Sequence, residues 1–137
     1  MCEHHASETW WNFPVASVVK LYFAEHMSHE HLGEFELIVL LALIRLGSNA
    51  YGVPIRCEIE KRARRTVTVG ALYRTLDRLE SKGYVASWLG DPSPARGGRS
   101  KRYFRIEPLG LQALRRTERE LAAMWEGIDL RKVPHVS

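Results

Sequence analysis

The sequence is poor in several things that define whole classes of protein. It has two cysteines, Cys2 and Cys57, in 137 residues. Two thiols make no disulfide framework, so the expected setting is reducing and cytoplasmic. No hydrophobic stretch is long enough to span a bilayer. The most apolar N-terminal run, Trp10 to Ala24, is interrupted by Asn12, Pro14 and Lys20, and LIVLLALI (37–44) is far too short. There is no phosphate-binding glycine loop, dinucleotide fingerprint, HExxH or nucleophile elbow, and the carboxylates form no convincing acid/base pair. An enzyme is therefore not expected, and neither is a cofactor. Histidine is concentrated in His4, His5, His26, His29 and His31, but neither Cys2-His4-His5 nor the 26–31 cluster with Glu30 has a zinc-ligand spacing. No metal site is expected. No internal repeat or long low-complexity tract is present.

What is present is an uneven distribution of charge. The net formal charge is +4. Residues 1–33 carry a net −3, residues 34–66 a net +2, residues 67–106 a net +5, and residues 107–137 balance. Positive charge focused on one segment attracts a polyanion better than the same charge scattered.

That segment has a definite layout. Thr66 or Thr68 can cap a helix running to Lys82 and stopped by Gly83. Val69, Leu72, Leu76 and Leu79 form its apolar stripe, and Gly70, Tyr73, Arg74, Asp77, Arg78 and Ser81 its polar face. Two strand-like runs follow, Tyr84–Leu89 and Lys101–Ile106, joined by a Gly/Pro-rich turn. The second run alternates Arg102, Phe104 and Ile106 against Tyr103 and Arg105.

Two helices precede this segment. One extends from Gly33 or Glu34 to Leu46 and is apolar on nearly every side after Glu36, which suits a core or a dimer contact. The next starts near Pro54 and continues to about Arg64, with Ile55 and Ile59 inward. A last helix opens at Pro108 and runs to Trp125 or Ile128, with Leu111, Leu114, Leu121, Trp125 and Ile128 on one stripe. Helix, helix, helix, strand, strand, helix, with a very short turn joining the second and third helices, is the order of a winged helix-turn-helix: mainly α, with a small antiparallel β-hairpin.

The expected division is an N-terminal extension (1–32, partly flexible), a winged domain (33–107), a C-terminal dimerisation helix (108–128) and a tail (129–137). In the extension, Pro14 can begin a short helix with Val15, Val18, Val19 and Tyr22 on one stripe. Met27 is a candidate true start, which would make residues 1–26 an over-extended reading frame.

An exposed basic helix face is also common on ordinary surface helices. The hairpin is the stronger sign, because Arg96, Arg99, Lys101, Arg102 and Arg105 fall within ten residues with no acid among them. Such side chains can straddle a phosphate strand or enter a minor groove. Thr68, Gly70, Tyr73, Arg74 and Arg78 are the helix residues expected at DNA, with Arg74 or Arg78 reaching guanine and Gly70 permitting close approach. A lone helix beyond a wing has little of its own domain to cover it. Leu114, Leu121, Trp125 and Ile128 are accordingly expected to pair two copies, with intrachain packing against the first helix as the alternative.

The wording LGEFELIVLLALIRLGSNAYGVPIRCEIEKR, then GALYRTLDRLESKGYV, then RGGRSKRYFRIEPLG, resembles the PadR family of winged-helix transcriptional regulators over about Leu32 to Met124. The resemblance implies that the third helix reads the major groove of double-stranded DNA, with Tyr73 at its backbone. It also implies a homodimer on an inverted repeat, mostly as a repressor. Many relatives have Pro after the LY pair, where this chain has Arg74, which would add a DNA contact. The chain resembles the short branch, with one helix after the wing. The resemblance leaves room for a small planar effector stacked on Trp125 between subunits, although an interface anchor is the commoner role of such a residue. A sensor built on that cavity, or a winged-helix module that binds protein, are the competing readings.

Overall fold

Each element starts and stops where a particular residue makes it. Helix α1, Glu34–Leu46, opens with the Glu36 carboxylate accepting the Gly33 amide at 3.0 Å. It ends at Gly47, whose φ of 56° favours glycine. The structure is a computed structural model, and residues 31–91 and 100–135 are described. The expected Pro14 helix, the Met27 start and the ligand candidates upstream of His31 fall outside those residues. A 3-10 turn, Gly47–Asn49, leads to helix α2, Gly52–Ala63. α2 begins two residues before Pro54 and stops before Arg64, which turns left-handed at φ 51°.

Helix α3 spans Val69–Ser81, and Thr68 Oγ1 accepts the Ala71 amide at 3.2 Å as its cap. Leu72, Leu76 and Leu79 are buried as expected, but Val69, in the first turn, is exposed. Val67 is buried in its stead, just before the helix begins, and Thr75 joins the inner face. Gly83, at φ 76°, turns the chain into strand β1, Val85–Leu89, which pairs antiparallel with β2, Arg102–Ile106, in the register Val85 to Ile106 and Leu89 to Arg102. Each strand begins one residue later than the pattern suggested. Tyr84 gives its hydrogen bonds to helix ends, donating to the Leu79 carbonyl and accepting the Glu107 amide. Tyr51 bridges to Tyr103, and the Phe104 amide donates to the Ala50 carbonyl at 2.8 Å, so the α1–α2 turn lies along β2.

Helix α4, Pro108–Trp125, starts with proline in its first turn, where no amide is required. Gly110 lies so close to the Tyr84 carbonyl that a Cβ would overlap it. Only the first half of α4 is buried, through Gly110, Ala113 and Leu114. A further 3-10 turn, Leu130–Lys132, follows. The core joins α1, α2, α3, both strands and the start of α4 around Phe104, Leu40, Ile55, Ile59, Leu72, Leu76 and Leu79. All of these elements belong to one unit, Leu32–Ser137. Among the described residues no helix is long and apolar enough to cross a membrane, and no group of His, Cys, Asp and Glu could hold a metal ion. Cys57 is exposed and free.

Candidate nucleic-acid interface

The apolar face of α3 is fixed against the core, which turns Gly70, Arg74, Asp77, Arg78 and Ser81 outward. These residues fall three or four apart and share one helical face. Thr68 is exposed at the helix start while it caps Ala71, and nothing approaches a Cβ built on Gly70. Arg74 is exposed, and no ion pair occupies it among the described residues.

The remaining cations differ from Arg74. Arg78 is exposed, yet its guanidinium lies 3.7 Å from Glu36 Oε2 and donates to Thr75 Oγ1 at 3.4 Å. Lys82 donates to the same Glu36 oxygen at 3.0 Å. Burial alone would push the Glu36 carboxyl up. The Gly33 amide, the Lys82 hydrogen bond and the charges of Lys82 and Arg78 outweigh that effect and hold it below the ordinary carboxylate range. Glu36 is therefore a buried anion beneath α3 that binds two of the cations above it.

Tyr73 is displaced from its expected place on the outer face. It is half-buried, with its ring 6.4 Å from that of Phe104 and its hydroxyl against the α2 start. A Cβ at Gly52 would collide with that hydroxyl, so the missing side chain at Gly52 admits the tyrosine.

Arg102 is the larger correction. It was expected to grip phosphate, but strand alternation places it on the Phe104 side of the hairpin, toward α3. Its Nη1 donates to Asp77 Oδ1 at 3.0 Å, its Nη2 to Glu80 Oε2 at 2.6 Å and its Nε to Ser87 Oγ at 3.2 Å. Glu80 Oε1 also accepts the Ser87 hydroxyl at 2.6 Å and the Ser87 amide at 3.2 Å. The Ser87 hydroxyl foremost, then Arg102, outweigh burial and hold the Glu80 carboxyl below its usual range. The pattern of β2 already grouped Arg102 with Phe104 and Ile106. The acids that receive it are 22 and 25 positions away, and periodicity does not pair them.

On the opposite sheet face, Trp88 stacks on Tyr103 at 5.8 Å, with Arg105 5.8 Å from the Trp88 ring and Lys101 4.3 Å from the Tyr51 ring. Lys101 is half-buried, with its ammonium held over an aromatic face. Arg96 and Arg99 lie outside the described residues.

Of the expected dimer residues, Leu114 is buried in its own chain's core at 6% exposure. That packing accounts for its apolar character and removes it from a surface role. Leu121, Trp125 and Ile128 are about half exposed, and Met124, absent from the expected set, is 73% exposed beside them.

Comparison with known proteins places this arrangement. The profile of the transcriptional regulator PadR-like family matches residues 40–116. An uncharacterized protein of Lysinibacillus sphaericus is 36% identical over 94 residues, which is 67% of this chain and 83% of that protein. A PadR family transcription regulator from hypervirulent Clostridium difficile superposes with a TM-score of 0.59 at 22% identity, covering 67% of this chain and 91% of its own. A PadR-like transcription factor from Bacteroides fragilis gives 0.59 at 24%, covering 79% and 92%. These two similarities bear on the fold, which is the PadR-like winged helix. On the extent of the profile match and the identity to the curated relative, the chain belongs to the PadR-like family of transcriptional regulators.

Proposed function

We propose that this regulator binds double-stranded DNA in a sequence-specific manner, as a cytoplasmic homodimer on an inverted repeat, and represses transcription there. The observation that carries the reading is the outward face of α3. It has an uncapped cation, Arg74, in its first half, a glycine that lets backbone approach, and an N-terminus whose dipole favours phosphate. Thr68, Gly70, Arg74 and Arg78 supply the helix contacts. Lys101, with Arg96 and Arg99 of the hairpin turn, supplies the flanking phosphate contacts. The sign of regulation follows the family resemblance. The reading needs no cofactor and no reaction.

The dimer reading has its own support. Beyond Leu114 no residue of α4 is buried, yet Leu121, Met124, Trp125 and Ile128 put an apolar stripe there. Such a stripe is usually covered in solution, and a second copy offers an identical one. Residues 33–107 then form the DNA-binding part, 108–128 the pairing segment, which is helical only to Trp125 and not to Ile128 because the chain turns at Gly127, and 129–137 a tail.

Arg74→Ala tests the reading on duplexes selected from a random pool. The loss should fall mainly at one base pair of each half-site, by about 1–3 kcal/mol. Arg78→Ala should weaken binding less, because Glu36 already holds that guanidinium. Equal binding of wild type to selected and unselected duplexes would overturn the proposal and favour a protein-binding winged module.

A further inference from the structure

The reading surface and the wing are separate pieces of chain, and a protein that uses both must hold them at a fixed angle. Beside the apolar core that α3 and the strands share, a polar contact joins them. Glu80 sits near the end of α3, and its two carboxylate oxygens are divided between the strands: Oε1 takes the amide and hydroxyl of Ser87 on β1, and Oε2 takes Arg102 on β2. Asp77, one turn earlier, receives a second nitrogen of the same guanidinium. The Phe104 ring lies 4.8 Å below it. Three of the guanidinium's five N–H donors, one on each nitrogen, are thus committed within the protein, and turning the fork to phosphate would mean giving some of them up.

We infer that Asp77, Glu80, Ser87 and Arg102 form a tie that sets the angle of the wing against α3, and that Arg102 is a positioning residue in DNA binding, not a phosphate contact. The inference rests on the DNA-binding reading above and deepens it. It makes two acidic residues of the interface favourable for DNA binding, although each repels phosphate. A guanidinium is required at position 102, because an ammonium carries the charge but cannot span two carboxylates and a hydroxyl in one plane.

The sign of one substitution separates the two roles. Removing the Glu80 charge loosens Arg102, which keeps only Asp77 and Ser87. If Arg102 met phosphate, Glu80→Gln would tighten binding. If it sets the wing, Glu80→Gln weakens binding despite the lost negative charge. The experiment is a fluorescence anisotropy titration of the full chain against a duplex selected by the wild type. Glu80→Gln, Arg102→Gln and Arg102→Lys should each lose about tenfold, and the Glu80→Gln/Arg102→Gln double variant should lose little more than either single one. In the DNA-free protein, amide exchange across Val85–Leu89 and Arg102–Ile106 should accelerate in all three variants, with circular dichroism confirming the helices. Tighter or unchanged binding by Glu80→Gln overturns the inference, as does Arg102→Lys retaining wild-type affinity. A wild type that selects no duplex overturns the DNA-binding reading itself, a result distinct from either. Should Arg102→Gln fail to fold, Glu80→Gln and Arg102→Lys still decide the matter.

Discussion

The ionic-strength dependence of DNA binding can be worked out from which cations are already spoken for. A protein that neutralises Z phosphates displaces counterions, and log K falls against log salt with a slope of about −0.9Z. Net charge does not set Z; the cations able to leave their present partners do. Arg102 is tied to Asp77 and Glu80, and Lys82 to Glu36, so both drop out. Of the residues proposed to meet DNA, Arg74, Lys101 and Arg78, whose 3.7 Å pairing with Glu36 is loose enough to exchange for phosphate, remain in each protomer among the described residues. Two protomers then give about six contacts and a slope near about −5. Engagement of Arg96 and Arg99 in the hairpin turn raises this to about ten contacts and a slope near about −9. Between about 50 and 200 mM salt these slopes amount to losses of roughly 10³- and 10⁵-fold. Anisotropy titrations of the selected duplex across that range measure the slope directly. Replacing Arg96 and Arg99 together by Gln should move the steeper value back toward the shallower one. A slope shallower than about −2 would refute the assignment of these residues to phosphate, whatever the affinity at low salt.

Three further outcomes are expected. Leu114→Ala removes a buried side chain and should destabilise the fold by roughly 2–5 kcal/mol at any protein concentration; Trp125→Ala should instead raise the dimer dissociation constant in sedimentation experiments, and the reverse pattern would return Leu114 to the interface. Glu36 titrates below its ordinary value of 4.5 in the folded protein, so the stability it contributes is present above that pH and is lost as pH falls through the folded value. Thermal melts should therefore show wild type and Glu36→Gln separated near neutrality, with the gap closing as pH falls below 4.5 and through the lowered folded value; a gap that widens in acid would contradict the arrangement. Gly110→Ala should greatly destabilise the protein, because backbone at Tyr84 occupies the space a Cβ needs, and a melting temperature equal to wild type would mean α4 does not dock there.

The element order was legible because the punctuation is local. Thr68 caps α3, Gly47 and Gly83 end α1 and α3, and Pro108 opens α4, each through backbone chemistry confined to a few residues. What the sequence hid depends on neighbours distant along the chain. Leu114 and Leu121 stand two turns apart on one stripe, and periodicity alone does not say where the core of a single chain stops covering it. Tyr73 looked like part of a polar face because its place inside depends on a missing Cβ at Gly52, on another helix. Arg102 and Arg74 look alike in composition, and only the fold gives one of them two carboxylates and leaves the other bare.

That difference gives α3 a polarity that its own sequence does not announce. In its second half, cation and anion are matched: Arg78 leans on Glu36, Lys82 is bound there, and Asp77 and Glu80 hold Arg102. In its first half the cation is bare, the backbone is open at Gly70, and the helix dipole adds to the same sign. Arg64, exposed and left-handed in the turn before α3, extends this half outward, while Arg65 beside it is paired with Glu34. A reading helix that enters a major groove presents its N-terminal residues to base edges. In the DNA-binding reading proposed above, the balanced half would serve as a mount and the unbalanced half as the reader. On that reading the acidic residues of α3, which lower the net charge of the segment, concentrate its effective charge at the end proposed to approach DNA.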